Sequence, residues 1–243
     1  MDSYSSSQPQ SIQEMFATIA KGYDRANDLL SFGTYRYWNA LFVKNVFNEN
    51  AQQNILDLCA GTGDIAFRIL KKSKVLQNVS LVDFCSQMLQ EAKKKALVFD
   101  KKGHKISIVQ GDAMNLDFQD SSFDLLTMAY GIRNVKDPRK VFLESHRVLR
   151  PGGVLGVLEL TRPKNPFFLS IYLLYLHLVL PLVSKLFFSN KKAYLYLAKS
   201  ISDFQSADSL KSLLLDLGFE NVKVISLFGG ICSIIKAKKR TFD

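Results

Sequence analysis

The chain has 243 residues, 47% of them hydrophobic, which excludes a disordered or collagen-like chain and allows one large domain, or two small ones, with a proper core. Its 32 Lys and Arg against 22 Asp and Glu give a formal net charge of +10, which predicts an anionic partner, either nucleic acid or a membrane surface. The three cysteines form no C-x-x-C pair, so neither a metal site nor a disulfide framework is predicted.

The first ten residues, MDSYSSSQPQ, carry an acidic residue, no arginine and no apolar stretch. This composition argues against a secretory signal and against a mitochondrial transit peptide. We therefore expect a flexible N-terminal tail over residues 1–10.

Local patterns predict alternating helices and strands along most of the chain. Residues 11–47 are predicted to be helical, with a break at Ser31-Phe32-Gly33. Short apolar runs predict strands at Asn54–Leu58, Val79–Val82, Ile106–Gln110, Phe123–Met128 and Val154–Leu160, and a closing pair at Val222–Leu227 and Ser233–Ala237. Helices are predicted at Ile65–Leu70, Ser86–Ala96, Pro138–Leu149 and Asp208–Leu217, with a turn at Arg150-Pro151-Gly152-Gly153. This alternation favours an α/β fold with a mostly parallel sheet and helices on both faces.

Residues 162–205 interrupt this alternation with an apolar insert. The run Phe167–Phe188 contains no acidic residue and has the length of a transmembrane segment. Pro181 and the aromatic ends argue against a span, and a span at this point would divide one sheet across a bilayer. The remaining interpretations are a buried helical pair and a lid that faces a membrane or a lipid tail.

A strand, a glycine-rich turn and a helix start follow one another in Ile55–Asp64. Glycines at Gly61 and Gly63 allow a sharp turn and close approach of a ligand, although such turns also occur in purely structural α/β units. Asp83 lies 20 residues after Gly63, at the end of the second predicted strand, where a carboxylate can accept both hydroxyls of a ribose.

The charges near this turn distinguish between two nucleoside cofactors. A dinucleotide would place its pyrophosphate on the helix N-terminus, where Asp64 would repel it. S-adenosylmethionine has no phosphate and carries an ammonium and a sulfonium, so Asp57 and Asp64 are tolerable. After the third strand, Asp112 can accept from an adenine amino group while the Ala113 N–H meets a ring nitrogen. These elements in this order predict S-adenosylmethionine as the cofactor.

These residues resemble the class I S-adenosylmethionine-dependent methyltransferases. The flanking segments are more closely similar to the menaquinone/ubiquinone biosynthesis C-methyltransferase family (UbiE/MenG), over about residues 15–236. The segments that carry the resemblance are Tyr23–Gly33 followed by Trp38, Tyr130–Val135, Arg147–Gly153, Glu159-Leu160-Thr161 and Tyr194–Ile201. The resemblance implies a Rossmann-like fold with a seven-stranded sheet, and a single methyltransferase domain over residues 11–243 with a helical substrate-side insert at about 162–205.

The resemblance also implies methyl transfer to a ring carbon of a polyprenyl quinol. We expect demethylmenaquinol in menaquinone biosynthesis, since the short untargeted N-terminus looks bacterial, and the benzoquinol precursor of ubiquinone is the alternative. Arg133 and Asn134 are the expected catalytic residues: Arg133 stabilises a phenolate or polarises a water, because an arginine is a poor base, and Asn134 orients a hydroxyl. The competing interpretation is that Arg133 pairs with an acidic neighbour such as Asp137, and Glu159 is a further candidate for the base.

Further residues are expected to bind the cofactor. They are Tyr23, Asp57, Gly61, Thr62, Gly63, Asp83, Asp112, Ala113 and Ala129.

The charge by itself would also fit an RNA methyltransferase. However, the segment Ala129–Asn134 contains neither an Asn/Asp-Pro-Pro-Tyr run nor a cysteine nucleophile, and no RNA-binding domain is visible, so no nucleic-acid partner is expected. Nine lysines against three acids between residues 71 and 105 favour transient contact with an anionic membrane surface. We expect a cytoplasmic enzyme that visits the inner face of the cell membrane.

Overall fold

The computed structural model describes residues 9–181 and 191–241. The predicted tail lies outside these residues except for its last two, which begin the first helix. Residues 182–188, the end of the apolar run, also lie outside the described part of the chain.

Three helices precede the sheet: α1 (Pro9–Ile19), α2 (Tyr23–Leu30) and α3 (Thr34–Val46). The predicted break between α2 and α3 is confirmed. Gly33 lies in this break with a positive φ of 78°, a conformation that glycine adopts easily. A second break, the short 3-10 helix Ala20–Gly22, was not predicted.

The remaining elements follow the predicted alternation, with small shifts at their ends. The first half contains β1 (Asn54–Leu58), α4 (Asp64–Lys72), β2 (Asn78–Asp83), α5 (Ser86–Asp100), β3 (Lys105–Gln110), β4 (Phe123–Ala129), α6 (Pro138–Val148) and β5 (Leu149–Leu160). The second half contains α7 (Pro166–Leu174), a π-helical turn (Tyr175–Val179), α8 (Lys191–Ser202), α9 (Ala207–Asp216), β6 (Phe219–Leu227) and β7 (Cys232–Lys239).

The strands form one seven-stranded sheet in the order β3-β2-β1-β4-β5-β7-β6, which confirms the predicted α/β class. Strands β1 to β5 are parallel, and β7 runs antiparallel to both of its neighbours. The chain order reverses between β1 and β4. Ligands bind at such a switch point, beyond the carboxyl ends of the strands.

Strand β5 begins earlier than predicted. Phe123 pairs with Leu149, but Leu125 pairs with Val154, so the segment between these two partners bulges out of the ladder. The predicted turn Arg150–Gly153 is therefore a bulge inside a strand rather than the connection that precedes it.

Apolar side chains of the helices cover both faces of the sheet. The central strands are apolar on both sides, so both of their faces have to be buried. On one face α3 and α4 pack with residues such as Phe42 and Ile69, and on the other α6 and α9 pack with residues such as Phe142 and Leu214. The residues at the strand ends are therefore positioned by a sheet that has helices packed on both faces.

The described part of the insert is a packed helical pair with one exposed apolar face. Tyr172 and Leu176 pack against Ala198 and Ile201 of α8, together with Leu30 of α2. The opposite face of α7 leaves Phe167 67% exposed. Among the residues described here, no helix combines the length and the apolar character needed to cross a bilayer.

Candidate active site

A cavity of about 520 Å³ lies at the carboxyl ends of β1 to β4. Helix α1 contributes Ile12 and Phe16 to its wall, and α8 contributes Tyr196 and Ser200. Eight of the eleven predicted site residues line it: Tyr23, Gly61, Asp83, Asp112, Ala113, Ala129, Arg133 and Asn134. Four separate strand ends, together with the start of α2 at Tyr23, therefore bring most of the predicted site together.

The two glycines of the turn after β1 have different roles. Gly61 has a φ of 55°, faces open space, and donates its N–H to Asp83 Oδ2 at 2.8 Å. Gly63 has a φ of 80°, and a Cβ there would lie 2.4 Å from the ring of Phe67 and 2.8 Å from Leu81. Gly63 is not among the residues that line the two cavities, so its cofactor contact stays a prediction, and the close neighbours of its Cα show that it lets α4 pack tightly on the sheet.

Asp83 is held rigidly at the wall of the cavity. Its Oδ1 accepts from the Cys85 N–H at 2.8 Å, and its Oδ2 accepts from Gly61. Burial raises the pKa of Asp83, while these backbone N–H groups lower it. Because each carboxylate oxygen has two lone pairs, both oxygens can still accept from a diol.

Asp57 lies deeper, beside a second and much smaller cavity of about 30 Å³ under the glycine turn. It accepts from Thr127 Oγ1 at 2.6 Å and from the Ala66 N–H at 3.3 Å. Burial raises the pKa of Asp57 to about 7. Asp57 therefore lines the small cavity and is not among the residues that line the large one.

Thr62 ties α2 to α5 across the glycine turn. Its hydroxyl donates to Asp24 Oδ1 at 2.7 Å, and Lys95 Nζ donates both to Asp24 Oδ2 at 2.5 Å and to Thr62 Oγ1 at 3.0 Å. Thr62 lines the small cavity and not the large one. Its hydroxyl thus holds α2, and with it the neighbouring Tyr23, over the site.

Arg133 follows β4 in a short 3-10 helix, Ile132–Asn134. Its Nη1 donates to Glu159 Oε1 at 2.5 Å and to the Tyr130 carbonyl at 2.7 Å. Arg133 therefore does pair with an acidic residue, as the competing interpretation expected, but that residue is Glu159. Asp137, the example named for that interpretation, instead caps α6 by accepting from the Lys140 N–H at 3.2 Å.

Glu159 is fully buried at the end of β5. Burial raises the pKa of Glu159, and the Arg133 guanidinium beside it acts in the opposite direction. Its oxygens also accept from the backbone N–H groups of Leu160 at 2.8 Å and Arg133 at 3.2 Å. A carboxylate committed in this way positions Arg133 and is a poor candidate for the base.

Asn134 is fixed from two sides. Its Nδ2 donates to the Tyr130 carbonyl at 3.1 Å, and its Oδ1 accepts from the Tyr196 hydroxyl at 3.0 Å. Tyr130 itself has a positive φ of 56°, and its hydroxyl donates to Asn39 at 2.9 Å. Neither tyrosine was predicted as a site residue; both stand in segments that carry the family resemblance, which was the available signal.

The acidic residues around the glycine turn fit a nucleoside that carries positive charge. The carboxylates of Asp83 and Asp112 line it, Asp57 lies beneath the glycine turn, and Asp64 occupies the first position of α4, where a phosphate would otherwise bind. This fold and this site define an S-adenosylmethionine-dependent methyltransferase.

The chain belongs to the ubiE/COQ5 methyltransferase family, whose sequence pattern matches residues 4–239. It is 46% identical over 239 residues to the demethylmenaquinone methyltransferase of Protochlamydia amoebophila, covering 98% of this chain and 99% of that protein. It is 38% identical over 231 residues to the ubiquinone/menaquinone biosynthesis C-methyltransferase UbiE of Rickettsia bellii, covering 94% of this chain and 92% of that protein. The predicted family is confirmed.

Solved structures support the same fold at low sequence identity. An S-adenosylmethionine-dependent methyltransferase of Thermotoga maritima, described as a possible histamine N-methyltransferase, matches with a TM-score of 0.66 and 22% identity, over 93% of this chain and 99% of that chain. The [4+2]-cyclase SpnF matches with a TM-score of 0.67 and 15% identity, over 97% of this chain and 98% of that chain. Proteins of such different chemistry share the fold, so the reaction has to be argued from the site.

Proposed function

We propose that this chain transfers a methyl group to a ring carbon of demethylmenaquinol, the reaction named for its relative in Protochlamydia amoebophila. The observation that carries the proposal is the buried Arg133–Glu159 ion pair, which holds a permanent cation at the wall of the cofactor cavity. S-adenosylmethionine, when bound, supplies a methyl group on a positively charged sulfur. The benzoquinol precursor of ubiquinone is the alternative acceptor, as the name of the Rickettsia bellii relative suggests.

The positions of the predicted cofactor-binding residues support the following roles. Asp83 accepts the ribose hydroxyls, and Asp112 accepts from the adenine amino group beside the Ala113 N–H. Asp57 provides negative charge for the ammonium from beneath the turn. Tyr23 closes the site from α2, and the backbone at Gly61 and Ala129 completes its wall.

Arg133 acts on the quinol rather than on the cofactor. A ring carbon becomes nucleophilic when a ring hydroxyl loses its proton, since the phenolate then delivers charge to that carbon. Although burial disfavours the charged form, the Glu159 carboxylate keeps the pKa of Arg133 raised, so this guanidinium stays charged and stabilises the phenolate. Asn134 lies next to it on the cavity wall and orients a ring hydroxyl.

The insert gives the enzyme access to a substrate with a polyprenyl tail. We define the apolar surface as the exposed side chains Phe32, Phe167, Phe168, Ile171, Leu174, Leu178 and Phe228. Two contacts join the insert to the segments that carry the other members of this surface: the Phe168 ring lies against Gly229, next to Phe228, and the Tyr175 hydroxyl donates to the Leu30 carbonyl, two residues before Phe32. We propose that this surface rests on the acyl region of a membrane while the enzyme remains peripheral.

The test of the proposed function uses labelled S-adenosylmethionine and membranes from a bacterial strain that lacks the family's enzyme. We expect the purified chain to place label in menaquinone, and the Arg133→Ala variant to place far less. Label confined to ubiquinone precursors would favour the alternative acceptor. Label in RNA, or none in any quinone, would overturn the proposal.

A further inference from the structure

The two hydrogen bonds of the Asn134 side chain, on the cavity wall, each have a defined donor and acceptor. A backbone carbonyl accepts hydrogen bonds and cannot donate them, so the amide nitrogen of Asn134 must be the atom that faces Tyr130, at 3.1 Å. The same carbonyl accepts from Arg133 Nη1 at 2.7 Å. An amide oxygen of Asn134 in this position would place two acceptors against each other without a hydrogen bond. The orientation of the Asn134 side chain is thereby fixed.

The orientation of Asn134 also fixes the direction of its hydrogen bond with Tyr196. The amide oxygen of Asn134 has no hydrogen, so the hydrogen in the 3.0 Å contact comes from the Tyr196 hydroxyl. Burial raises the pKa of Tyr196, which keeps that hydrogen in place at neutral pH. With its single proton committed to Asn134, the Tyr196 oxygen has lone pairs, and no hydrogen, for any other partner.

Tyr196 lies on the cavity wall together with Arg133 and Asn134. Arg133 only donates hydrogen bonds and therefore prefers a ring oxygen that accepts, such as a phenolate. Tyr196 provides an acceptor beside it. The two side chains together fit a ring that has one hydroxyl and one oxyanion, which is the deprotonated quinol.

We propose that Tyr196 is a specificity-determining residue that accepts a hydrogen bond from a ring hydroxyl and thereby selects the reduced quinol over the oxidised quinone. This inference rests on the proposed function and deepens it. A quinone carbonyl has no hydrogen to give, so it would face the lone pairs of Tyr196 without a bond. Sites that bond to a substrate hydroxyl discriminate strongly against analogues that lack it.

The experiment measures two dissociation constants under anaerobic conditions, in the presence of S-adenosylhomocysteine. The probes are a short-chain demethylnaphthoquinol and the corresponding naphthoquinone, and the variants are wild type, Tyr196→Phe and Tyr175→Phe. Tyr175→Phe is the matched control, because it also removes a hydroxyl from the insert, one that bonds to the Leu30 carbonyl. Thermal unfolding checks that each variant is folded.

We expect the wild type and Tyr175→Phe to bind the quinol at least about tenfold more tightly than the quinone, a difference of one good hydrogen bond. In Tyr196→Phe this ratio falls towards one, chiefly through weaker quinol binding. A merely structural role would weaken both forms equally and leave the ratio unchanged, and that result would overturn the inference. If the wild type binds S-adenosylhomocysteine but neither ring form, the proposed function fails as well.

Discussion

Arg133 and Glu159 form an ion pair inside the protein, with Nη1 and Oε1 2.5 Å apart and side chains that are 5% and 0% exposed. The two residues stand at the ends of neighbouring strands, since Ala129 of β4 pairs with Leu158 of β5. A buried charge that loses its partner is strongly destabilising, so we expect substitution of either residue to lower stability, and the proposed function predicts a separate loss of activity.

The two effects at Arg133 can be separated with a double variant. In Arg133→Met we expect the free energy of unfolding to fall by about 3–5 kcal/mol, because Glu159 is left unpaired. We also expect kcat to fall by at least about 100-fold, with cofactor affinity changed little. In Arg133→Met/Glu159→Gln most of the stability returns and kcat does not. Recovery of kcat together with stability would show that Arg133 is structural.

Asp83 is expected to show the opposite kinetic pattern. In Asp83→Asn the new amide nitrogen has to face either the Gly61 or the Cys85 N–H, so the turn loses one hydrogen bond and the ribose loses an acceptor. We expect the dissociation constant for S-adenosylmethionine to rise by about 10–100-fold, with a small change in kcat at saturation. The control is Asp100→Asn, at the exposed end of α5. Calorimetry measures the dissociation constant for both variants and for wild type. Unchanged affinity in Asp83→Asn would remove Asp83 from the ribose site.

Asp57 is expected to make stability depend on pH. Burial raises its pKa from the ordinary 3.8 to about 7, so between these values the folded chain binds a proton that the unfolded chain does not. The stability contributed by Asp57 is therefore full below the unfolded pKa and is lost as the pH rises through the folded pKa. Asp57→Asn cannot ionise, so its Tm relative to wild type should increase between pH 5 and pH 8.

The measurement for Asp57 is thermal unfolding across this pH range, without and with S-adenosylmethionine. We expect the cofactor to stabilise wild type more at pH 8 than at pH 6, because the ionised carboxylate attracts the ammonium. Asp57→Asn should show little of this pH effect. Parallel pH profiles for the two proteins would contradict the shifted pKa.

Gly131 is expected to be intolerant of any side chain. A Cβ there would lie 2.4 Å from the Cβ of Cys59 and 2.9 Å from its Sγ. Gly131→Ala should therefore destabilise the chain by about 1–3 kcal/mol, the cost of overpacking. The rescue variant is Cys59→Gly/Gly131→Ala, since it removes the clash and relieves the positive φ of 51° at Cys59. The measurement is the free energy of unfolding in urea. If the double variant is no more stable than Gly131→Ala, the clash with Cys59 is not the cause of the destabilisation.

The apolar surface is tested by flotation with vesicles of phosphatidylethanolamine and phosphatidylglycerol. Burying one large apolar side chain contributes about 2 kcal/mol, so Phe167→Ser/Leu174→Ser should lose most of the bound fraction. Leu215→Ser is the control, because Leu215 is a similarly exposed leucine on a different helix, α9. Equal binding by all three proteins would exclude α7 as the contact with lipid.

The sequence was most informative where a function depends on local chain geometry. Gly61 and Asp83 could be placed from sequence because Gly61 lies in the turn after β1 and Asp83 ends β2, and parallel strands bring their carboxyl ends to one edge. The turn Arg150–Gly153 was misplaced, since whether such a segment ends a helix or bulges from a strand depends on the pairing partner. The cofactor contact of Gly63 stays a prediction, and the structure adds a packing reason for this glycine, because a Cβ there would meet the ring of Phe67.

The sequence by itself determined the α/β class, the glycine turn, the acidic residue at the end of β2 and the family. Only the tertiary structure decided that Arg133 pairs with Glu159 rather than with nearby Asp137, and that Tyr196 reaches Asn134 across 62 positions. Local patterns specify backbone conformation, because they act within a few residues. Which side chains meet is set by strand order and by how the insert packs, and these arise from burial over the whole chain.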